Sequence, residues 1–305
     1  MEGFQLQFII SVFIILLGYL FKRIKILKES DGQTIARIVF NITLPALVIV
    51  TFDQMVISLS LVSLIFIAFL FGLASALIGI LAFRSEKDGI KGMAAMMVPG
   101  VNVGLFAFPL VEAIWGREGI QHFGMFDVGN AVIVFGVCFF IASYFAKGTS
   151  SFYLREAFSP LLRSIPFLTY MFVVALNLSG FHLPGLFLDT AEIISVANMP
   201  LSLLLLGLYL NFSFEKSWLP LIGKYLAIKY GTGLFLGFSL FWILSDYPML
   251  ANTVLIGFIL PASTTSVVYA IRYQYNTKIV GTIVNITIIV SFVLIWLLAS
   301  FVAYH

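Results

Sequence analysis

Short polar segments beside prolines interrupt two of the most apolar stretches of this sequence. The residues are Pro99, Gly100 and Asn102 in one segment, and Pro261, Ser263, Thr264 and Thr265 in the other. A proline removes a backbone N–H and blocks the carbonyl four residues earlier, so each segment is expected to break a helix. Amides and hydroxyls donate hydrogen bonds, and a helix N-terminus carries about half a positive charge, so such breaks suit a carboxylate. The pattern predicts a binding site for an anion, to which Asn285 in the last apolar stretch is expected to contribute.

Two ionisable residues, Asp127 and Lys229, lie inside other apolar stretches. Asp127 and Asn130 are three residues apart and share a helix face. A carboxylate in hydrocarbon must be paired, protonated or in contact with water. Asp127, together with Asn130, is therefore a candidate proton-coupling site. The alternatives are a structural pair or a residue near the outer interface. Lys229 is either a counter-charge for a bound anion, a side chain that extends towards the cytosolic membrane surface, or the partner of an acidic residue.

The composition shows which solvent surrounds these residues. Of 305 residues, 61% are hydrophobic and 10% are charged, against about 25% charged in a soluble domain, and the mean hydropathy is +1.08. The chain is expected to be an all-α polytopic membrane protein, not a soluble enzyme, a nucleic-acid-binding module or a disulfide-stabilised scaffold. It has one cysteine, Cys138, and no Cys/His spacing typical of zinc, so we expect no metal and no cofactor.

Charge-free windows give the number of membrane spans. The windows are 3–21, 38–52, 54–83, 92–111, 128–146, 164–188, 193–214, 230–245, 247–271 and 279–304. They predict ten transmembrane helices, since a span needs about 20 apolar residues. Basic residues then predict the orientation. Without Lys224, which lies just beyond a connector, thirteen Lys and Arg fall on one side and only Arg117 on the other. Both termini are therefore expected outside the cell membrane.

Ten helices with both ends on one side are consistent with two inverted five-helix repeats. The expected division is residues 1–146, a cytosolic connector 147–164, and residues 165–305. Pro45 and Pro200 are 155 residues apart, as are Asn130 and Asn285. Asn41 with Pro45, and Asn198 with Pro200, are predicted to break the second and seventh spans. The fourth and ninth spans are predicted to be broken and to cross. Prolines are also common in membrane helices whose neighbours satisfy the freed carbonyls, so the offsets alone leave that reading open.

At these interruptions the chain resembles the auxin efflux carrier family, which includes plant auxin exporters and bacterial malate and malonate permeases. The matching segments are Asn41-Ile-Thr-Leu-Pro-Ala-Leu47, Pro99-Gly-Val-Asn-Val-Gly104, Pro109-Leu-Val-Glu-Ala-Ile-Trp-Gly116, Met199-Pro-Leu-Ser-Leu-Leu-Leu-Leu-Gly207 and Leu260-Pro-Ala262. The resemblance implies a bile-acid-symporter-like fold of the wider superfamily, an elevator-type movement, a homodimer, and a substrate-binding role for Asn102.

These observations predict a secondary active transporter of small organic anions in the lipid bilayer. Malate, malonate and auxin-like weak acids are the candidate substrates, with proton or sodium coupling. An anion channel and a sodium-coupled symporter are the alternatives. An enzyme is not expected, because an intramembrane aspartyl site needs two aspartates and only Asp127 lies clearly within a span. Nothing in the sequence indicates a nucleic-acid partner.

Overall fold

The computed structural model describes residues 2–146, 162–211 and 215–302. The regular structure of these residues is helical. The α-helices are α1 (Glu2–Arg23), α2 (Glu29–Ile38), α3 (Leu44–Phe52), α4 (Leu59–Ala82), α5 (Asp88–Met97), α6 (Phe108–Val132), α7 (Phe139–Tyr144), α8 (Ile165–Leu178), α9 (Gly185–Ser195), α10 (Asn198–Tyr209), α11 (Leu219–Ile243), α12 (Pro248–Phe258), α13 (Thr265–Arg272) and α14 (Thr277–Val302). Three π-helical segments and one 3₁₀ turn accompany them, at Val39–Thr43, Val103–Ala107, Ile133–Cys138 and Lys216–Trp218.

Seven helical stretches of the described chain are long and apolar enough to cross a membrane. They are Leu6–Arg23, Ser30–Phe52, Leu59–Ala82, Val103–Tyr144, Gly185–Tyr209, Lys216–Ile243 and Thr277–Leu298. The prediction of an all-α polytopic membrane protein is confirmed. The number of membrane spans does not follow from these seven stretches. Two further helices, Ile165–Leu178 and Pro248–Phe258, are apolar but shorter. The predicted count of ten stays a prediction.

The longest stretch, Val103–Tyr144, contains a sharp bend. Its 42 residues would extend about 63 Å as one straight helix, roughly twice the hydrocarbon thickness of a bilayer. Gly116 has φ 58° and ψ −140°, which is not a helical conformation. Because glycine adopts positive φ at little cost, it allows the chain to turn between two helical runs. Asp127 and Asn130 lie in the run that follows this bend.

The predicted breaks at Asn41–Pro45 and Asn198–Pro200 differ from the observed structure. At the first, the chain stays helical through the π segment Val39–Thr43, whose bonds shift to the wider pattern in which Leu44 N–H donates to the Val39 carbonyl. This widening accommodates Pro45 without a non-helical segment. At the second, only residues 196 and 197 lie between α9 and α10, and both have right-handed helical angles. Pro200 falls in the first turn of α10, where a missing N–H leaves no helical bond unmade.

The described chain divides into two compact units. The first comprises residues 1–61, 103–125 and 162–210. In it, α1 packs closely on α10, because Gly18 faces the backbone of Leu204 and Gly207 faces that of Ile15. Small residues permit such backbone approach between membrane helices. Asn198 accepts a hydrogen bond from Thr43 Oγ1 at 3.1 Å, which links the two segments in which breaks were predicted.

The second unit comprises residues 62–102, 126–161 and 211–305. Within it, α11 approaches α12 where Gly233 faces the carbonyl of Phe258. Helix α6 approaches α4 in the same way, where Gly129 faces the carbonyl of Ile65. Each unit takes segments from both halves of the sequence. The division into units describes which residues pack together, whereas the predicted repeats 1–146 and 165–305 describe internal symmetry of the sequence. The repeats stay a prediction. Residues 147–161 of the predicted connector lie outside the described residues.

Candidate functional site

The two proline-containing interruptions meet inside the second unit. Helix α5 ends at Met97 and α12 ends at Phe258, and each is followed by a short non-helical segment. Val101 and Ala262 form an isolated antiparallel bridge. Asn102 N–H donates to the Pro261 carbonyl at 3.0 Å, and Ser263 N–H donates to the Gly100 carbonyl at 3.1 Å. We call residues 98–102 the first interruption, residues 259–264 the second, and their meeting point the crossing.

Neighbouring helices satisfy the backbone groups that the first interruption frees. In a continuous helix, the carbonyls of Met97 and Val98 would accept from the N–H groups four residues later. Here the Tyr225 hydroxyl donates to the Met97 carbonyl at 2.8 Å, and Lys229 Nζ donates to the Val98 carbonyl at 3.3 Å. Both side chains come from α11, one turn apart. The break is therefore a built feature, in which side chains replace lost helical bonds.

The side chain of Asn130 holds the middle of the first interruption. Its Oδ1 accepts from Val101 N–H and its Nδ2 donates to the Val101 carbonyl, both at 3.0 Å. The same Nδ2 donates to Asp127 Oδ1 at 2.9 Å. Asn130 is 5% exposed. The predicted shared face of Asp127 and Asn130 is thus observed, and it connects the Asp127 carboxylate to the crossing through one amide.

Hydroxyl groups form hydrogen bonds with the backbone groups that the second interruption leaves free. Ala262 N–H donates to Thr287 Oγ1 at 3.1 Å, and Ser291 Oγ donates to the Ile259 carbonyl at 2.7 Å. Tyr230 donates its hydroxyl proton to the Thr287 carbonyl at 2.8 Å and lies 2.8 Å from Ser291 Oγ. Thr287 therefore does for Ala262 what Asn130 does for Val101. Asn130 lies on α6 after the bend at Gly116, and Thr287 lies on α14.

The predicted anion-binding residues divide by location. Pro99, Gly100, Asn102, Pro261 and Ser263 lie in the crossing, and Asn102 and Ser263 are 6% and 7% exposed. Ser263 Oγ accepts from Thr265 N–H at 3.3 Å, so this hydroxyl acts as a local cap at the start of α13, where Thr264 is the N-cap residue. Asn285 lies on α14, two residues before Thr287. Asn41, Pro45, Asn198 and Pro200 belong to the first unit.

Lys229 is more deeply placed than an extended surface lysine. Its side chain is buried, with 3% of the residue exposed. No carboxylate of the described residues lies within the ion-pair distance of 4.0 Å from its Nζ. The alternative in which Lys229 extends towards the membrane surface is wrong. Its Nζ is instead turned inwards, towards the Val98 carbonyl.

Sequence reasoning missed Tyr225, Thr287 and Ser291. A signal for them was present. Tyr225 with Lys229, and Thr287 with Ser291, are polar pairs four residues apart in apolar helices, so each pair lies on one helix face. In the chain that the structure describes, no group of three or more His, Cys, Asp or Glu side chains is arranged to hold a metal ion. The crossing therefore offers backbone groups, amides, hydroxyls and one ammonium.

Two interruptions of helices that hydrogen-bond to each other, in a multi-pass chain, are typical of membrane transport proteins. Residues 6–151 match the sequence profile of a family described as "Membrane transport protein". The chain is 23% identical over 309 residues to an uncharacterized transporter of Methanocaldococcus jannaschii, covering 96% of this chain and 98% of that protein. It is 29% identical over 220 residues to an uncharacterized transporter of Methanothermobacter thermautotrophicus, covering 68% of each. The chain is thus similar to a family of membrane transport proteins and to two archaeal transporters, in agreement with the predicted resemblance to a transport family.

Proposed function

We propose that this protein is a secondary active transporter of small organic anions and that the crossing is its substrate site. The observation that carries the proposal is the hydrogen-bonded contact between residues 100–102 and 261–263. It brings two sets of short polar residues together where helices end, within a mostly apolar unit. Neutral donors and helix ends bind a carboxylate without requiring a matched cation for every anion oxygen. Malate, malonate and auxin-like weak acids are the candidate substrates.

The proposal includes ten transmembrane helices arranged as two inverted five-helix repeats, with both termini outside the cell membrane. The sequence offset supports the repeat, since the hydrogen-bonded partners Thr43 and Asn198 are 155 residues apart, the same separation as Asn130 and Asn285. The thirteen-to-one distribution of basic residues supports the orientation. The uneven charge distribution concerns short connectors, where this rule is most reliable.

We further propose an elevator-type cycle in a homodimer, as the family resemblance implies. The confinement of the crossing to one compact unit supports it, because an elevator carries its substrate within one moving body. Asp127 is the candidate for proton coupling, since its carboxylate contacts the crossing through Asn130. A sodium-coupled symporter and an anion channel remain the alternatives. Saturating flux with counterflow distinguishes a carrier from a channel, and sodium replacement distinguishes the coupling ion.

The test uses purified protein in proteoliposomes and a panel of malate, malonate and indole acetate. We expect saturable uptake and counterflow of at least one acid. Asn102→Ala removes a hydrogen bond to a charged group, worth about 1.5–3 kcal/mol, so affinity is expected to fall roughly 10- to 100-fold. Asn276→Ala is the matched control, because Asn276 caps α14 through the N–H groups of Lys278 and Ile279, away from the crossing. Unchanged affinity in Asn102→Ala excludes the crossing as the substrate site.

A further inference from the structure

Lys229 has an ionisable amino group, for which its hydrogen bond alone gives no reason. The ammonium is buried and donates to the Val98 carbonyl at 3.3 Å. One turn earlier, the neutral hydroxyl of Tyr225 satisfies the Met97 carbonyl in the same way. In the second interruption, the neutral hydroxyl of Ser291 satisfies the Ile259 carbonyl. A neutral donor is therefore sufficient for a freed carbonyl, so the charge of Lys229 needs a separate explanation.

Burying an unpaired ammonium is costly. Removing a charged group from water costs several kcal/mol even after relaxation, and a charge within a membrane-spanning segment is expected to face a partner or a water-filled cavity. The C-terminal end of α5 gives partial compensation, because a helix C-terminus carries about half a negative charge. No carboxylate of the described residues completes the compensation within 4.0 Å.

The position of Lys229 relates this charge to the crossing. Val98 directly precedes Pro99 and Gly100 in the first interruption. A side-chain carbon on Gly100 would lie 3.1 Å from Cys138 Sγ and 3.6 Å from Ser263 Cβ. Lys229 therefore bonds to the residue before Pro99, and Gly100 and Ser263 are neighbours at the crossing within the second unit.

Helix dipoles alone do not make the crossing positive. Each interruption joins the C-terminus of one helix to the N-terminus of the next, so the partial charges of about minus and plus one half roughly cancel. Asn102, Ser263 and Thr264 are neutral. Asp127, which contacts Asn130, is negative when ionised and then disfavours an anion. Lys229, which donates to the Val98 carbonyl, is a group beside the crossing that is positive when protonated.

We propose that Lys229 is the resident counter-charge that makes the crossing prefer a carboxylate over a neutral molecule of the same shape. It acts through the electric field across residues 98–102, where the low dielectric strengthens the interaction of charges, and not by contact with the ligand. This inference rests on the proposed function. It specifies which residue decides the charge of the substrate, whereas the hydrogen-bond donors of the crossing decide its shape.

The experiment compares acids with their own amides. The probes are acetate and acetamide, malonate and malonamide, and malate and its diamide, with affinities measured on the purified full chain in nanodiscs. At least one acid is expected to bind the native protein 10-fold or more tightly than its amide. Lys229→Gln is expected to weaken binding of that acid by about 10- to 100-fold, and to change binding of the amide less than 3-fold. Lys229→Arg keeps the charge and is expected to keep the preference for the acid.

Tyr225→Phe is the matched control for a purely structural role. It removes a donor from the adjacent carbonyl without changing any charge, so it is expected to alter binding of acid and amide by equal factors. If Lys229→Gln does not fold, Lys229→Met replaces it, since an apolar side chain of similar length tolerates the same burial.

Three results overturn the inference: no acid is preferred by the native protein, a neutral variant of Lys229 keeps the preference, or Lys229→Arg loses it. The proposed function is judged separately. If acids bind and Asn102→Ala weakens them while Lys229→Gln keeps the preference, only the inference on Lys229 is wrong. If no acid binds at all, the proposed function is wrong as well.

Discussion

Both interruptions leave backbone N–H and carbonyl groups without helical partners, and different side chains bond to these groups in the two cases. At residues 98–102, an amide from Asn130 and an ammonium from Lys229 satisfy the freed groups. At residues 259–264, the hydroxyls of Thr287 and Ser291 do so. The first interruption is connected to two ionisable residues, since Asn130 also contacts Asp127. Any dependence on charge or pH should therefore originate at the first interruption, while the second serves as its uncharged counterpart.

The difference also concerns how many bonds depend on one side chain. Asn130 makes three hydrogen bonds, to the N–H and the carbonyl of Val101 and to Asp127. Thr287 makes one bond to the second interruption and one to the Val284 carbonyl of its own helix. Because a bidentate amide fixes both backbone groups of one residue, the first interruption is held more rigidly at its centre. The following variants test this comparison.

The largest effect is expected for Asn130→Ala. It leaves a buried N–H and a buried carbonyl of Val101 without their partner, and each unsatisfied group costs about 1–3 kcal/mol. The free energy of unfolding should fall by about 2–5 kcal/mol, measured by denaturant titration in detergent micelles. Asn285→Ala, 155 residues later, is the comparison variant. Equal losses for the two variants would contradict the asymmetry between the interruptions.

A smaller effect is expected for Thr287→Val. Valine has nearly the same shape but cannot accept the Ala262 N–H, so the free energy of unfolding should fall by about 1–2 kcal/mol. Thr282→Val is the control on the same helix, because Thr282 Oγ1 donates to the carbonyl of Lys278 one turn earlier. A loss of about 0.5 kcal/mol or less is expected. A loss as large as that of Asn130→Ala would mean that both interruptions depend equally on one side chain.

The smallest effect on stability is expected for Asp127→Asn. The new amide oxygen can still accept from Asn130 Nδ2, so unfolding should change by about 0.5 kcal/mol or less. Transport should respond differently. If Asp127 carries the coupled proton, native uptake rises as the pH on the substrate side falls, and Asp127→Asn flattens that dependence. Flux at two external pH values measures it. An unchanged pH dependence would assign Asp127 to a structural pair.

Several features of the crossing could be predicted from residue types alone. Pro99 and Pro261 cannot continue a helix, so the positions of both interruptions followed from steric and hydrogen-bonding limits of proline. Asp127 and Asn130 share a face because their spacing matches the helical period. Pro45 and Pro200 were weaker guides. A proline is tolerated beside a π-helical segment or in a first turn, and only the backbone path distinguishes these cases from a break.

The burial of Lys229 could not be predicted, and neither could the roles of Tyr225, Thr287 and Ser291. A lysine in an apolar helix can extend to the membrane surface or turn inwards, and the sequence does not distinguish these two placements. Which side chain reaches a freed carbonyl depends on contacts between residues on different helices. Tyr225 and Met97 are 128 positions apart, and Ser291 and Ile259 are 32 positions apart. Such pairings are set by helix packing.

The sequence by itself determined that this chain is helical and lies in a membrane, because 61% hydrophobic residues cannot be covered by so few charges. It also determined where two helices break and which family of membrane transport proteins the chain resembles. The tertiary structure decided that the two breaks bond to each other, that one is held by an amide and an ammonium and the other by hydroxyls, and that Lys229 is buried. The physical reason is that freed backbone groups must find partners, and only the packing of distant helices decides which side chains can reach them.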